Sequence, residues 1–203
     1  MTPGEPSLAP TGRTMTDSST SQLAEIQLEE FRGYLLVLAR LRLEGWLRRK
    51  LTASDIVQQT LLRAHAALPA LRDRSPEVLK AWLREILGRE IADAAKHFGR
   101  AKRDAAKERA LCQALDRSSL ALEMLLAADQ TSPSQAAIRH EDLLALADAL
   151  CRLPDDQRVA VTAKHIENRS LREIAESMGR SPASVAGLLR RGLAQLRAAL
   201  DSP

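Results

Sequence analysis

SLREIAESMGRSPASVAGLLRRG, residues 170–192, decides the fold. Leu171, Ile174, Ala175 and Met178 recur at i, i+3, i+4 and i+7, which is one face of a short helix. Gly179 follows at once, and glycine ends a helix in a left-handed turn without a Cβ penalty. Ser181 then offers an N-cap oxygen, and Pro182 stands where a first helical residue needs no N–H. The second helix turns Val185, Leu188 and Leu189 inward, and the pattern continues through Leu193, Leu196 and Leu200. Small Ala175, the turn glycine and branched Val185 are what two helices need to cross closely as a helix-turn-helix.

The outward face of that second helix carries Ser184, Gly187, Arg190 and Arg191, with Arg180 at the turn and Arg197 further on. No acidic residue stands between Glu176 and Asp201. A helix apolar inside, small at its front end and basic behind it suits a DNA major groove. A plain helical hairpin with a solvated basic face is the blander reading. Small-residue placement, turn chemistry and charge sign independently favour DNA.

The chain has 203 residues and a formal charge of +4, so it holds one or two domains, and the local charge pattern says more than the total. Aromatic residues are few, Leu and Ala abound, and strand-like alternation is nearly absent, so an all-α fold is predicted. Cys112 and Cys151 lie far apart without a pairing pattern; a disulfide is conceivable, but single thiols in a reducing cytosol fit better. His65, His97, His140 and His165 never combine with cysteine at metal spacing, so no metal site is expected. Residues 1–22, rich in Pro, Thr and Ser without an apolar segment, read as a disordered tail rather than a signal peptide, and Met15 could serve as an alternative start. No run reaches the length of a membrane span.

Along the chain, Leu23 to about Leu51 reads as helix, with Leu35, Leu38, Leu41 and Leu43 apolar and a basic side that includes Arg40, Arg42, Arg48, Arg49 and Lys50. A break at Leu51–Ala53 precedes Ser54 and Asp55, either of which can cap the next helix. That helix buries Ile56, Leu61 or Leu62, and Ala64, and leaves Asp55, Gln58, Gln59 and Arg63 outward. After a loop from Pro69, a third helix starts near Pro76 and runs through Trp82, Leu83, Ile86, Leu87 and Ile91. Trp82 reads as a core anchor in preference to a base-stacking platform, given the apolar residues at its helical neighbours, and Tyr34 as a core side chain. Lys96, His97, Arg100, Lys102 and Arg103 follow without an acid, as a phosphate-binding stripe would, or merely as a solvated helix end. Residues 104–138 look like a linker in which DRSS and DQTSPSQ interrupt short helices. From about 139 four or five further helices are expected, closing on the helix-turn-helix. The prediction is therefore two small helical domains, 23–103 and 139–203, joined by a flexible linker.

SDIVQQTLLRAH followed by LKAWLREILGREIADAAKHFGR resembles the first conserved domain of bacterial sigma factors. LCRLPDDQRVAVTAKHIENRSLREIAESMGRSPASVAGLLRRGLAQLR looks like their C-terminal domain. The ordered pair, with no further domain between, resembles the extracytoplasmic-function group of the sigma-70 family. The resemblance implies a non-enzymatic protein without cofactor, metal or small-molecule substrate. It implies a cytoplasmic protein, off the membrane, that binds the β′ and β subunits of core RNA polymerase and promoter DNA and leaves room for an anti-sigma partner. Asp55, Gln58, Gln59 and Arg63 would dock on the polymerase. Arg72, Arg74, Arg89, Lys96, Arg100 and Arg103 would serve the −10 element, where a base leaves the stack. Arg180, Ser181, Ala183, Ser184, Gly187, Arg190 and Arg191 would read the −35 element. The segment 104–138 would pass through the polymerase near the RNA exit path.

Two rivals stand beside this. A helix-turn-helix regulator of the response-regulator type, acting without polymerase docking, would explain 154–200 but calls for a signalling fold upstream. A DNA recombinase needs a nucleophile among clustered arginines or paired carboxylates, and Tyr34 lies in an apolar run.

Overall fold

A computed structural model describes residues 27–98, 105–128 and 136–201. The expected tail at 1–22 and the cations Arg100 and Arg103 lie outside the described residues, which contain helices and no strand. Eight α-helices lie wholly among the described residues: α1 Arg32–Arg42, α2 Ala53–Ala67, α3 Pro76–His97, α4 Ala105–Ala128, α5 Ala136–Arg152, α6 Asp155–His165, α7 Leu171–Met178 and α8 Pro182–Leu200. Two 3-10 turns, Leu47–Arg49 and Leu68–Ala70, punctuate the first half.

The first expected helix is shorter than its periodicity suggested. It stops at Arg42, where Leu43 turns extended (φ −68°, ψ 117°) and is buried, as is Leu47 of the following 3-10 turn. Arg48 fixes the connection by donating from Nε to the Leu43 carbonyl at 2.8 Å. The cap of α2 also differs from expectation: Thr52, not Ser54 or Asp55, is the N-cap. The Thr52 hydroxyl accepts from the Asp55 N–H at 3.1 Å, and the Asp55 carboxylate accepts from the Thr52 N–H at 2.8 Å. This reciprocal capping box satisfies two otherwise orphaned donors. Ser170 and Glu173 form the same box at α7. In both, hydrogen bonds from the cap residue hold the carboxyl below its usual range, at Asp55 through the Thr52 backbone first and at Glu173 through the Ser170 hydroxyl first. A lowered folded pKa means that this stabilisation is present above the ordinary carboxylate range and is lost as pH falls through the lowered value.

The core is built from Leu, Ile and Val of every helix, with Phe31 and Tyr34 fully enclosed. Trp82 is half-buried against it, in line with the core role expected from the sequence. Leu61 takes the inward position on α2 and leaves Leu62 exposed.

Residues 105–128 form one continuous helix of 24 residues, where the sequence suggests short interrupted pieces. The residues that read as a turn signal are interfacial. Ser118 and Ser119 are buried: the Ser119 hydroxyl accepts from the Tyr34 phenol at 2.8 Å, and the Ser118 hydroxyl accepts from Arg42. Asp116 accepts from Arg84 Nε at 2.8 Å. Polar residues mid-helix are tolerated when their hydrogen bonds are made across the packing surface rather than to their own backbone. Leu115 and Leu122 complete the seam in the same interface. Gly88 of α3 lets α4 approach, since a Cβ there would meet Cys112 Sγ at 2.9 Å.

The C-terminal helices pack on this body through α5, which crosses α1. A Cβ on Gly33 would stand 1.9 Å from Asp148 Oδ1, and the Cys151 thiol donates to the Gly33 carbonyl at 3.6 Å. Both cysteines are free thiols, raised in pKa chiefly by burial. Leu115→Ala is expected to lower stability by about 2–4 kcal/mol in urea unfolding, the cost of a core cavity. A loss below about 0.5 kcal/mol, the size of a surface change, would show that α4 is not part of the core in solution.

Candidate nucleic-acid interface

The helix-turn-helix grows out of α6. The chain leaves α6 through Asn168, whose φ of 54° uses the left-handed tolerance of asparagine, and is re-anchored by the Arg169 N–H on the Ala163 carbonyl at 2.9 Å. Gly179 ends α7 at φ 62°, ψ 35°, as the sequence predicts. Its turn is closed by the Arg180 N–H bonding the Ala175 carbonyl at 3.0 Å. Ser181 caps α8 by accepting from the Ser184 N–H at 3.2 Å, with Pro182 in the first turn. Ile174 and Ala175 of α7 and Val185, Leu188, Leu189 and Leu196 of α8 are buried. The close α6–α8 crossing falls at Gly192, where a Cβ would meet Val161 Cγ2 at 2.8 Å. Sequence reading missed that packing role, since Gly192 follows the basic residues without any turn chemistry of its own.

On the outward side, Ser181, Ala183, Arg190 and Arg191 are exposed, and Ser184 and Gly187 are partly exposed. Ala183, Gly187, Arg190 and Arg191 share one helical face, so the residues assigned to duplex recognition are brought together. A Cβ on Gly187 would meet only the Arg191 side chain, at 3.4 Å, so backbone access there is open. Arg190 and Arg191 have no ion pair or hydrogen bond among the described residues. Arg180 is different: its guanidinium pairs with Asp156 of α6, which ties the turn to the domain.

The second group of cations is less uniform. Arg72 and Arg74 sit exposed on the loop before α3, and Arg74 Nη2 donates to the Leu68 carbonyl at 3.3 Å. Arg89 pairs with Glu85 at 2.9 Å. Lys96 lies half-buried between Asp93 at 3.2 Å and Glu108 at 3.6 Å. The stripe that reads as free of acids is thus partly neutralised, by an acid one turn back and by another on α4. The docking of α4 also makes a groove of about 910 Å³ against α3, where Leu71, Trp82, Arg89 and Arg109 meet. Arg109 carries no signal in the sequence, because its place depends on α4 being packed.

The third group lies on α2. Asp55, Gln58 and Gln59 are exposed along one face, and Leu62 extends it with 57% of its surface free. Arg63 stands apart from them, holding α2 to α3 through Glu90 at 2.6 Å and Asp93 at 3.5 Å. Burial pushes the Glu90 carboxyl up, and the Arg63 charge opposes that. Asp55 is occupied in its capping box. Gln58, Gln59 and Leu62 are therefore the parts of this face open to a partner. Leu62 is the residue the periodicity left undecided.

Among the described residues no helix is long and apolar enough to cross a membrane, and no three metal-ligating side chains gather. Comparison with known proteins adds two findings. Residues 143–196, from α5 to α8, match the family model described as sigma-70, region 4. The chain is 29% identical over 201 residues to the ECF RNA polymerase sigma factor SigE of Mycolicibacterium smegmatis, an alignment covering 95% of this chain and 69% of that protein. The helix-turn-helix thus lies within the stretch that matches sigma-70 region 4, and along nearly its whole length the chain resembles a sigma factor of the extracytoplasmic-function group.

Proposed function

We propose that the chain is a sigma factor that binds core RNA polymerase, through its β′ and β subunits, and directs promoter-specific initiation in the cytoplasm. The observation that carries this reading is the region 4 domain whose α8 presents Arg190 and Arg191, without a neutralising carboxylate, beside the small residues Ala183 and Gly187. Small residues admit the backbone to a groove, and the arginines behind them take phosphates or base edges. In this reading α8 recognises the −35 element, with Arg180 and Ser181 at its entrance. The loop carrying Arg72 and Arg74, together with Arg89 and Lys96 of α3, serves the −10 element. The groove beside Trp82 supports that assignment, because a base leaving the stack needs an apolar or aromatic surface with cations near its phosphate. Arg100 and Arg103, outside the described residues, are assigned to the same element, and an anti-sigma factor would act by covering one of these surfaces.

Polymerase docking is assigned to the face of Gln58, Gln59 and Leu62, with Asp55 at its edge and Arg63 as a brace. The triple substitution Gln58→Ala, Gln59→Ala, Leu62→Ala is expected to weaken association with core polymerase by at least about tenfold, equivalent to about 1.4 kcal/mol, while the melting transition stays in place. Unchanged affinity would move the docking surface elsewhere on the chain. Asp55→Ala is a poorer test, since it also removes a capping box.

Arg190→Ala with Arg191→Ala is expected to weaken promoter binding by the holoenzyme and to flatten its salt dependence. Each arginine that neutralises a phosphate releases counterions, so its removal should lower the log–log slope by about one unit. The measurement is a binding titration at several salt concentrations, and an unaltered slope would mean that these arginines face solvent only.

A further inference from the structure

A cleft of about 490 Å³ separates α1 and the start of α2 from α6 and the turn that leads into the helix-turn-helix. Four arginines line it: Arg40 of α1, Arg48 of the 3-10 turn, Arg158 of α6 and Arg169 after α6. The one carboxylate among the lining residues is Glu167, which stands 4.0 Å from Arg169. Arg158 is paired with Asp155. Arg40 and Arg48 have no carboxylate at ion-pair distance among the described residues. Arg48 is held by main-chain carbonyls, from Nε to Leu43 at 2.8 Å and from Nη2 to Arg40 at 2.5 Å, which fixes its position without cancelling its charge. Arg40 has one Nη atom that is buried and bonded to nothing. Two guanidiniums that line one cleft without a carboxylate partner, one of them with an unmet donor, favour an anion there.

The rest of the lining is mainly apolar, with Leu36, Leu41, Leu51 and Val159 among it, and the hydroxyl residues Thr52, Ser54 and Thr162 complete it. Val159 lines the cleft and is nearly half exposed, so it offers an apolar surface there. A cavity of this size takes a molecule of cofactor or nucleotide size. A nucleic-acid strand instead tracks an extended groove with successive stacking platforms, and no aromatic residue lines this cleft. We propose that the cleft between α1 and α6 binds a small phosphorylated ligand with an apolar or planar body, of nucleoside diphosphate size, its phosphates on Arg40 and Arg48 and its body against Leu51 and Val159. Because the two walls come from opposite halves of the fold, an occupant favours the arrangement in which those halves are packed together.

The test is isothermal titration of the full chain with ADP, adenosine and inorganic pyrophosphate in turn, without polymerase or DNA, so that its outcome is independent of the sigma-factor reading. ADP is expected to bind saturably with one site per chain, adenosine at least tenfold more weakly, and pyrophosphate more weakly than ADP. Arg40→Gln and Val159→Trp should each reduce ADP affinity at least tenfold. The second of these fills the cleft from an exposed position, so it tests the site even if Arg40 matters to folding. Absence of ADP binding, or ADP binding that both substitutions leave unchanged, overturns the proposal. Pyrophosphate binding as tightly as ADP overturns the role given to the apolar wall. A single-stranded oligonucleotide that binds in a manner sensitive to both substitutions, where ADP does not, would overturn the proposal in favour of nucleic acid.

Discussion

Arg84 is the residue on which the packing of the first half depends. From α3 it donates to the Tyr34 phenol of α1 at 3.0 Å and to Asp116 of α4 at 2.8 Å, and Tyr34 in turn donates to Ser119. One guanidinium thereby joins three helices. Beside it, buried Lys80 is divided between Glu77 at 2.8 Å and Glu123 at 2.9 Å. Burial opposes the charge on Lys80, and its bonds to those two carboxylates outweigh that opposition and raise its pKa. A paired, buried polar seam gives back much of its Coulombic gain as desolvation, so its main contribution is to fix which helix sits where. The hydrophobic contribution comes from Leu115 and Leu122 alongside, both fully enclosed.

That seam also explains where sequence reading was strong and where it stopped. The helix-turn-helix was legible almost atom by atom: Gly179 is left-handed, Ser181 caps, Pro182 opens α8, and Val185, Leu188 and Leu189 turn inward. Each of those features is set by chemistry local to about four residues. The helix at 105–128 was not legible as one piece, because Asp116, Ser118 and Ser119 are the residues that normally break helices. What keeps them helical is contributed by Arg42, Tyr34 and Arg84, which lie between 32 and 85 positions away. The choice between Leu61 and Leu62 had the same character, since neighbouring leucines carry equal hydrophobicity and only the packing of α2 on α1 and α3 separates them. Arg109 and Gly192 owe their places to α4 and to α6.

The charge pattern divides the candidate surfaces into two kinds. On α8, Arg190 and Arg191 face outward without acidic partners among the described residues, which suits a standing affinity for a polyanion. On α3 the cations are largely spoken for: Lys80 by Glu77 and Glu123, Arg84 by Asp116, Arg89 by Glu85, and Lys96 by Asp93 and Glu108. A single strand that bound there would compete with carboxylates of the protein itself. In the proposed reading, duplex recognition by α8 and strand capture near Trp82 would thus differ in what must be displaced first. That difference accords with a protein that depends on polymerase for the second step.

The most direct measurement of that account is permanganate footprinting of unpaired thymines on promoter DNA. Three samples are compared: the 203-residue chain alone, core polymerase alone, and the two together. Reactivity at the −10 element is expected only in the combined sample, because the docking face proposed on α2 would be engaged only there. Opening of the duplex by the isolated chain, or no opening in the combined sample on any genomic promoter it selects, would contradict the account.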